Sequence, residues 1–192
     1  MVDLLSMMTG ERQTDIHTSL QSPADPGTPF FSREILTPEF AAEVMPLLEA
    51  HFKELSFYTD IPLTPDFERY YRAEAANQLR IFTARLQGKI IGYAVFFILH
   101  HMHYATSKQA QQDILYLAQD QRGNGIGSQL FDWSESQLKS EGVQVISQHV
   151  KAAHPVLGFM CEKRGFQLQD LVYTKRLDTP KWPVPTHQTE IV

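Results

Sequence analysis

Gln121-Arg122-Gly123-Asn124-Gly125-Ile126-Gly127-Ser128 decides how the rest of this chain is read. An apolar run, Asp113-Ile114-Leu115-Tyr116-Leu117-Ala118, leads into it, and an amphipathic segment from Ile126 to about Glu141 leads out. Strand, glycine loop and helix in that order aim several backbone N–H groups at one point. The first amides of a helix lack intrahelical acceptors and the macrodipole is positive there, so that point favours an anion. Glycines permit φ > 0 and let a ligand approach the backbone without meeting a Cβ. The stretch predicts a site for a phosphate-bearing ligand, against the plainer reading of a simple turn before a helix.

The spelling of the loop separates three possibilities. A P-loop ends in Gly-Lys-Ser/Thr, and no lysine lies between Lys108 and Lys139. A dinucleotide fingerprint needs G-x-G-x-x-G and an acidic residue after the next strand. Here the third glycine comes one place early, and Gln144 to Lys151 holds no acid. What remains is R-x-x-G-x-G, carried by Arg122, Gly125 and Gly127. It resembles the pyrophosphate loop of the GNAT family of N-acetyltransferases, which hold acetyl-coenzyme A.

Working outward, 192 residues suit one domain with a real core. A hydrophobic content of 43% and a charged content of 20% are ordinary for a globular protein. The net charge of −5 gives no electrostatic footprint for nucleic acid, although Lys151, Lys163, Arg164, Lys175 and Arg176 leave room for a local basic patch. The one cysteine, Cys161, rules out an internal disulfide and fits a reducing compartment. No apolar run reaches the ~20 residues of a spanning helix, and the N-terminus lacks the signature of a signal peptide. The expected setting is the cytoplasm, without membrane or nucleic-acid partners, as a monomer or homodimer.

Residues 1–29 read as a polar, flexible leader with room for a short helix near Leu4 to Met8. Residues 178–192, with Pro180, Pro183 and Pro185, read as a non-helical tail. The folded domain is expected over 30–177. Phe30 to Leu36 alternates like a strand. Thr37-Pro38 is a helix start, and Phe40, Val44, Leu47, Leu48, His51, Phe52 and Leu55 share one face of that helix. Pro46 is expected to kink or split it. Thr64-Pro65-Asp66 starts a second helix with Phe67, Tyr70 and Tyr71. Leu79 to Leu86, the turn Gln87-Gly88 and Lys89 to Leu99 form a hairpin. The second strand, apolar on both faces, belongs mid-sheet. After the glycine loop, Ile126, Leu130, Phe131, Trp133 and Leu138 line a helix that Gly142 ends. Val143 to Val150 completes a strand–helix–strand unit with a parallel neighbour. Val156, Leu157, Met160 and Cys161 face inward from a short fourth helix, and Phe166 to Asp170 and Val172 to Leu177 read as a last pair of strands.

That order of elements is similar to the GNAT fold over about 150 residues. The resemblance implies an α/β (α+β) domain with a mixed central sheet of about seven strands, about four helices and a splayed parallel strand pair. Met160-Cys161-Glu162-Lys163-Arg164-Gly165-Phe166 resembles the F-Y-E-K-x-G-F close of that family's fourth helix. Pro46 to His51, Gly92 to Val95, His101 to Tyr104, Asp113 to Leu117 and Ala153 to Gly158 also resemble a branch of small acetyltransferases found in bacteriophage and prophage genomes.

The resemblance implies acetyl-CoA as co-substrate, no metal, and an amine acceptor, either a small molecule or a protein. Pyrophosphate is expected on the amides of Arg122, Gly123, Asn124, Gly125, Ile126, Gly127 and Ser128. The pantetheine arm is expected beside Leu115, Tyr116 and Leu117. In many relatives the position of Cys161 is a tyrosine that protonates the departing thiolate; Cys161 itself, Tyr116 and Tyr173 are the candidates here. An alkylammonium must lose a proton before attack. Asp113 leads as base, although a carboxylate is a weak one unless its surroundings change it. Imidazoles titrate nearer neutrality, so His101, His103 and His149 compete. His100, His101 and His103 do not have a spacing that converges on a metal. The competing reading is a domain that keeps this fold as a non-catalytic binding module or virion component.

Overall fold

The computed structural model describes residues 27–178, so the expected leader and tail lie almost wholly outside the described residues. The elements run β1 (Phe30–Glu34), α1 (Pro38–Leu55), α2 (Phe67–Ala75), β2 (Leu79–Leu86), β3 (Lys89–His101), β4 (Tyr104–Leu117), α3 (Ile126–Ser140), β5 (Val145–Ser147) and α4 (Val156–Lys163). The five strands lie in chain order in one sheet, antiparallel through β4, with β5 parallel to β4.

Local chemistry accounts for most boundaries. Thr37 Oγ1 accepts from the Phe40 amide at 3.2 Å and caps α1. Asp66, not Thr64, caps α2, accepting from the Arg69 amide at 3.0 Å. Gln87 and Gly88 both have positive φ, 51° and 80°, as a two-residue hairpin of matching twist requires. Contrary to expectation, α1 runs unbroken through Pro46. Proline there removes the N–H that would serve the Ala42 carbonyl, but both residues are exposed, so that carbonyl is open to solvent rather than buried without a partner.

The sheet is covered on both faces. Leu130 and Leu138 of α3 pack on Phe82, Ala94, Phe96 and Ala110. On the other face, Phe40, Ala41 and Val44 of α1 pack on Leu79, Ile81, Tyr93 and Val95, with α2 beside them. That explains why β2 and β3 are apolar on both sides.

Three more expectations need correction. The sheet has five strands rather than about seven, because residues 164–178 form no strand. Tyr58 donates to Thr174 Oγ1 at 3.0 Å and Arg176 pairs with Asp60 at 3.0 Å, which holds this segment against the α1–α2 connector. Leu168, Leu171, Val172, Tyr173 and Leu177 are left exposed. Likewise β5 covers only Val145–Ser147, since its pairing with β4 stops at Gln111 and Ser147. In α4, Val156 faces solvent while Cys161 is buried.

Near the far end of β4 the sheet is tight. A Cβ on Gly92 would lie 2.8 Å from Leu117 Cδ1 and 3.0 Å from the Tyr116 carbonyl oxygen. Backbone cannot yield as a side-chain tip does, so Gly92→Ala should cost about 1–3 kcal/mol through overpacking. The check is a urea titration; an unchanged midpoint would mean that β4 gives way freely here.

Candidate active site

The site is built along β4. Its inner edge pairs with β3 over nearly its whole length, but Asp113 has no opposite number: Ile114 faces Val95 and Gln112 faces Phe96. Asp113 is therefore a bulge residue, re-aimed out of the regular alternation. On the outer edge the partner β5 departs after Ser147. The buried Gln112 marks the parting, with its Oε1 accepting from the His149 amide at 2.8 Å.

Beyond the parting, the outer edge of β4 is open. The Ala118 amide bonds to the Ile91 carbonyl on the β3 side, so alternation turns the backbone groups of Leu115 and Leu117 to the open side. Arg122 occupies one of them, donating Nε and Nη2 to the Leu117 carbonyl at 3.0 and 2.9 Å.

The chain then enters the glycine loop. Gly123 and Gly125 have φ of 86° and 84°, left-handed conformations that favour glycine. Gly125 stands at the N-cap of α3, and Gln129 is the first helical residue whose amide bonds back, to Gly125 O at 3.0 Å. The Ile126 amide donates to Asn124 Oδ1 at 3.3 Å, while those of Gly127 and Ser128 have no intrahelical acceptor, and the turn holds no acidic side chain to occupy them. Arg164 of the α4 C-cap reaches the same turn, bonding Ser128 Oγ and pairing with Asp132 at 2.6 Å. The helix start is electropositive.

At the bulge, a cavity of about 680 Å³ opens between α1, α2, their connector and the sheet. Its lining includes Phe40, Phe52, Phe67, Val95 and Phe97, with Asp113, His51, Tyr70 and Lys151 among its polar groups. Tyr70 donates to Asp113 Oδ2 at 2.5 Å and stacks on Phe97. Burial, reinforced by that carboxylate, keeps the Tyr70 phenol protonated well above its usual range. His51 Nδ1 lies 3.3 Å from Tyr93 Oη, and its ring stacks on Tyr116 at 4.8 Å. Tyr116 donates to Glu54 Oε2 at 3.1 Å, and Glu54 grips Arg122 through both oxygens at 2.6 and 2.8 Å. The Arg122 bonds hold the Glu54 carboxyl below its ordinary range.

This geometry can be set beside known proteins. Residues 44–166 match the family model described as acetyltransferase (GNAT) family. The chain belongs to the GNAT family. A comparison with curated proteins gives no significant match. Among solved structures, a ribosomal-protein-alanine N-acetyltransferase from Brucella melitensis biovar Abortus 2308 is 18% identical, with a TM-score of 0.61 over 79% of this chain and 100% of its own. An aminoglycoside acetyltransferase from an uncultured soil metagenomic sample, in complex with sisomicin, is 21% identical, with a TM-score of 0.60 over 78% and 97%. A predicted acetyltransferase with acetyl-CoA from Clostridium acetobutylicum is 17% identical, with a TM-score of 0.57 over 78% and 97%. At these identities the likeness establishes the fold.

Within this GNAT domain, the residues expected from sequence fall into two groups. Asp113, Leu115, Tyr116, Leu117 and the loop from Arg122 to Ser128 lie along one strand and its exit. His101 and His103 do not join them. They sit at the β3–β4 turn, where the His103 amide donates to His101 Nδ1 at 3.1 Å. Six residues of β3 separate His101 from Val95, or about 20 Å at ~3.3 Å per residue. Cys161 is buried in α4 outside the cavity lining, and burial pushes its thiol up. Tyr173 is exposed. Sequence reasoning missed Tyr70, His51, Tyr93 and Glu54 as site residues. The one available signal was a histidine on an otherwise apolar helix face.

His51 makes a stability test. Burial first, then the nearby Lys151 charge, lowers its pKa from 6.5 to about 4. Between those values the unfolded chain binds more protons than the folded one, so stability rises with pH across that window and is lost as pH falls. The loss from pH 7 to pH 4 should be on the order of 2–3 kcal/mol, most of it before the carboxylates titrate. His51→Gln should flatten that slope in denaturant titrations; an unchanged slope would place the proton elsewhere.

Proposed function

We propose that this chain moves the acetyl group of acetyl-CoA to a primary amine by direct attack in a ternary complex. One observation carries the reading. An anion-ready helix start and a cavity lined by the Asp113 carboxylate lie at the two ends of one stretch of chain, and the open edge of β4 joins them. Pyrophosphate sits against the loop from Arg122 to Ser128, on its amides other than those of Arg122 and Ile126, which already have acceptors, and pantetheine pairs with the outward backbone groups of Leu115 and the Leu117 amide. The Arg122 side chain, engaged by Glu54 and Leu117, supports the loop rather than reaching into it. The acceptor enters from the cavity. The domain spans 30–177 and works in the cytoplasm, the host cytoplasm if the likeness to phage acetyltransferases extends to its origin.

Asp113 orients the ammonium and relays one proton toward water. The freed nitrogen lone pair forms the N–C bond at the thioester carbon, and the C–S bond breaks. A second nitrogen proton leaves as the amide forms, and the coenzyme A thiolate takes one. Per turnover, an ammonium and acetyl-CoA give an amide, free thiol and one released proton.

Two variants test the halves of the site separately. Ser128→Asp puts a carboxylate in the first turn of α3, which suits the helix dipole but repels pyrophosphate. Acetyl-CoA affinity should fall at least tenfold without loss of thermal stability; retained affinity would remove the loop from the coenzyme site. Asp113→Asn should keep acetyl-CoA affinity and lose about 10²-fold in kcat. Full turnover would leave deprotonation to solvent and positioning alone.

A further inference from the structure

The cavity also carries information about the acceptor, and this step rests on the acetyltransferase reading above. We infer that the acceptor is a small monoamine with an apolar, preferably aromatic, body.

Charge is the first argument. The formally charged residues of the lining are Asp66, Asp113, Arg69 and Lys151, which sum to zero. Asp66 is already committed to capping α2. One carboxylate, Asp113, remains for a cation, with Oδ2 taken by Tyr70 and Oδ1 left for a donor. His51 is neutral above about pH 4 and adds no anion. A single ammonium is matched here. A polyamine or aminoglycoside would bring further charges against Arg69, Lys151 and hydrocarbon, with the desolvation cost that implies.

The walls are the second argument. Phe40, Phe52, Phe67 and Phe97 surround the space, and Tyr70 stacks on Phe97 beside the carboxylate. An aryl or alkyl body there would bury apolar area at about 25 cal/mol per Å² and gain edge or offset contacts with the rings.

The roof is the third. The connector between α1 and α2 lines the cavity through Ser56 and the stretch from Pro62 to Asp66. It is pinned from outside by Arg176 to Asp60, Tyr58 to Thr174, and the Arg176 guanidinium over the Tyr58 ring. A braced roof over one side of this mostly apolar cleft leaves room for a small molecule and obstructs a folded protein presenting a lysine. In the reaction, the amine bonds the acetyl carbon as thiolate leaves, and its protons go to Asp113 and the sulfur.

The experiment uses the full chain with acetyl-CoA and thiol release as readout. The acceptors are 2-phenylethylamine, hexylamine, spermidine, an aminoglycoside and a lysine-containing peptide. The two monoamines should exceed the other three at least tenfold in kcat/KM, with 2-phenylethylamine ahead. Leu48 also lines the cavity, and calorimetry of 2-phenylethylamine on coenzyme A-loaded protein should show binding that weakens at least tenfold in Leu48→Asn, which replaces wall hydrocarbon with an amide. Leu48→Gln should act in the same direction, should the asparagine variant not fold. Preference for the polyamine, aminoglycoside or peptide would overturn the inference and leave the acetyltransferase reading standing, as would amine binding indifferent to both Leu48 variants. Absence of acetyl-CoA binding, read by thermal shift, would overturn both.

Discussion

Strand β4 loses its neighbour on one side only. From Gln109 to Gln111 it pairs with β3 and β5; beyond that it pairs with β3 alone, and β5 leaves after Ser147. Backbone polar groups in a protein interior must find partners, so the freed edge is compatible with the fold only where side chains, water or a ligand serve it. Gln112 meets the first need by bonding the His149 amide. Arg122 meets the last by bonding the Leu117 carbonyl. Between them lies a short run of outward backbone, bounded by the bulge at Asp113 and by the glycine loop. The coenzyme proposal uses this gap, and every other part of the site is placed by reference to it.

The electrostatic contacts around the gap matter for position more than for stability. The Glu54–Arg122 pair is partly exposed, and such pairs contribute only about 0–1 kcal/mol. Its two-pronged geometry nevertheless fixes the end of α1 to the residue that opens the loop. His51 and Leu55, on the same helix, line the cavity. The loop and the acceptor wall are thus parts of one rigid connection, with Tyr116 beneath it. Arg164 performs the equivalent task on the other flank by joining α4 to Ser128 and Asp132. A guanidinium suits both places because its fork can hold two acceptors in fixed directions.

What the sequence made legible was what depends on short-range chemistry. Thr37-Pro38 and Gln87-Gly88 set local backbone geometry, and the apolar run of β3 announced a strand covered on both faces. Arg122, Gly125 and Gly127 sufficed to place a glycine loop between a strand and a helix. Illegible were features that arise from distant pairing. The bulge at Asp113 depends on register against Val95 and Phe96, which no local pattern encodes. The partnership of Tyr70 with Asp113 spans 43 residues, and that of Glu54 with Arg122 spans 68. His101 and His103 had suitable chemistry, but their neighbours in sequence say nothing of the long hairpin that carries them away. The last two strands failed for a related reason: alternation in residues 166–177 is a permissive pattern, and it was outcompeted by polar anchors at Asp60 and Tyr58.

The cavity sets two demands on an incoming amine that pull in opposite directions. Asp113 favours the ammonium; for charges about 4 Å apart at an effective dielectric of ~20, the attraction is about 4 kcal/mol. Attack needs the neutral form, and deprotonating an amine of pKa ~10.4 at pH 7 costs about 4–5 kcal/mol before any help from the protein. Phenyl walls disfavour the charged form, and Lys151 in the lining adds repulsion, so both work against the carboxylate. Near balance between these effects is useful. A wall without Asp113 would lack the charge that draws the cation in, and a more acidic pocket would hold it too firmly to release the proton. Holding two reactants in attack geometry can supply ~7–11 kcal/mol toward the barrier that remains. On this account Asp113 is both an anchor and a brief proton carrier. On the proposed coenzyme placement, the rest of the acceleration derives from the open edge of β4, which would fix the thioester within reach of the nitrogen.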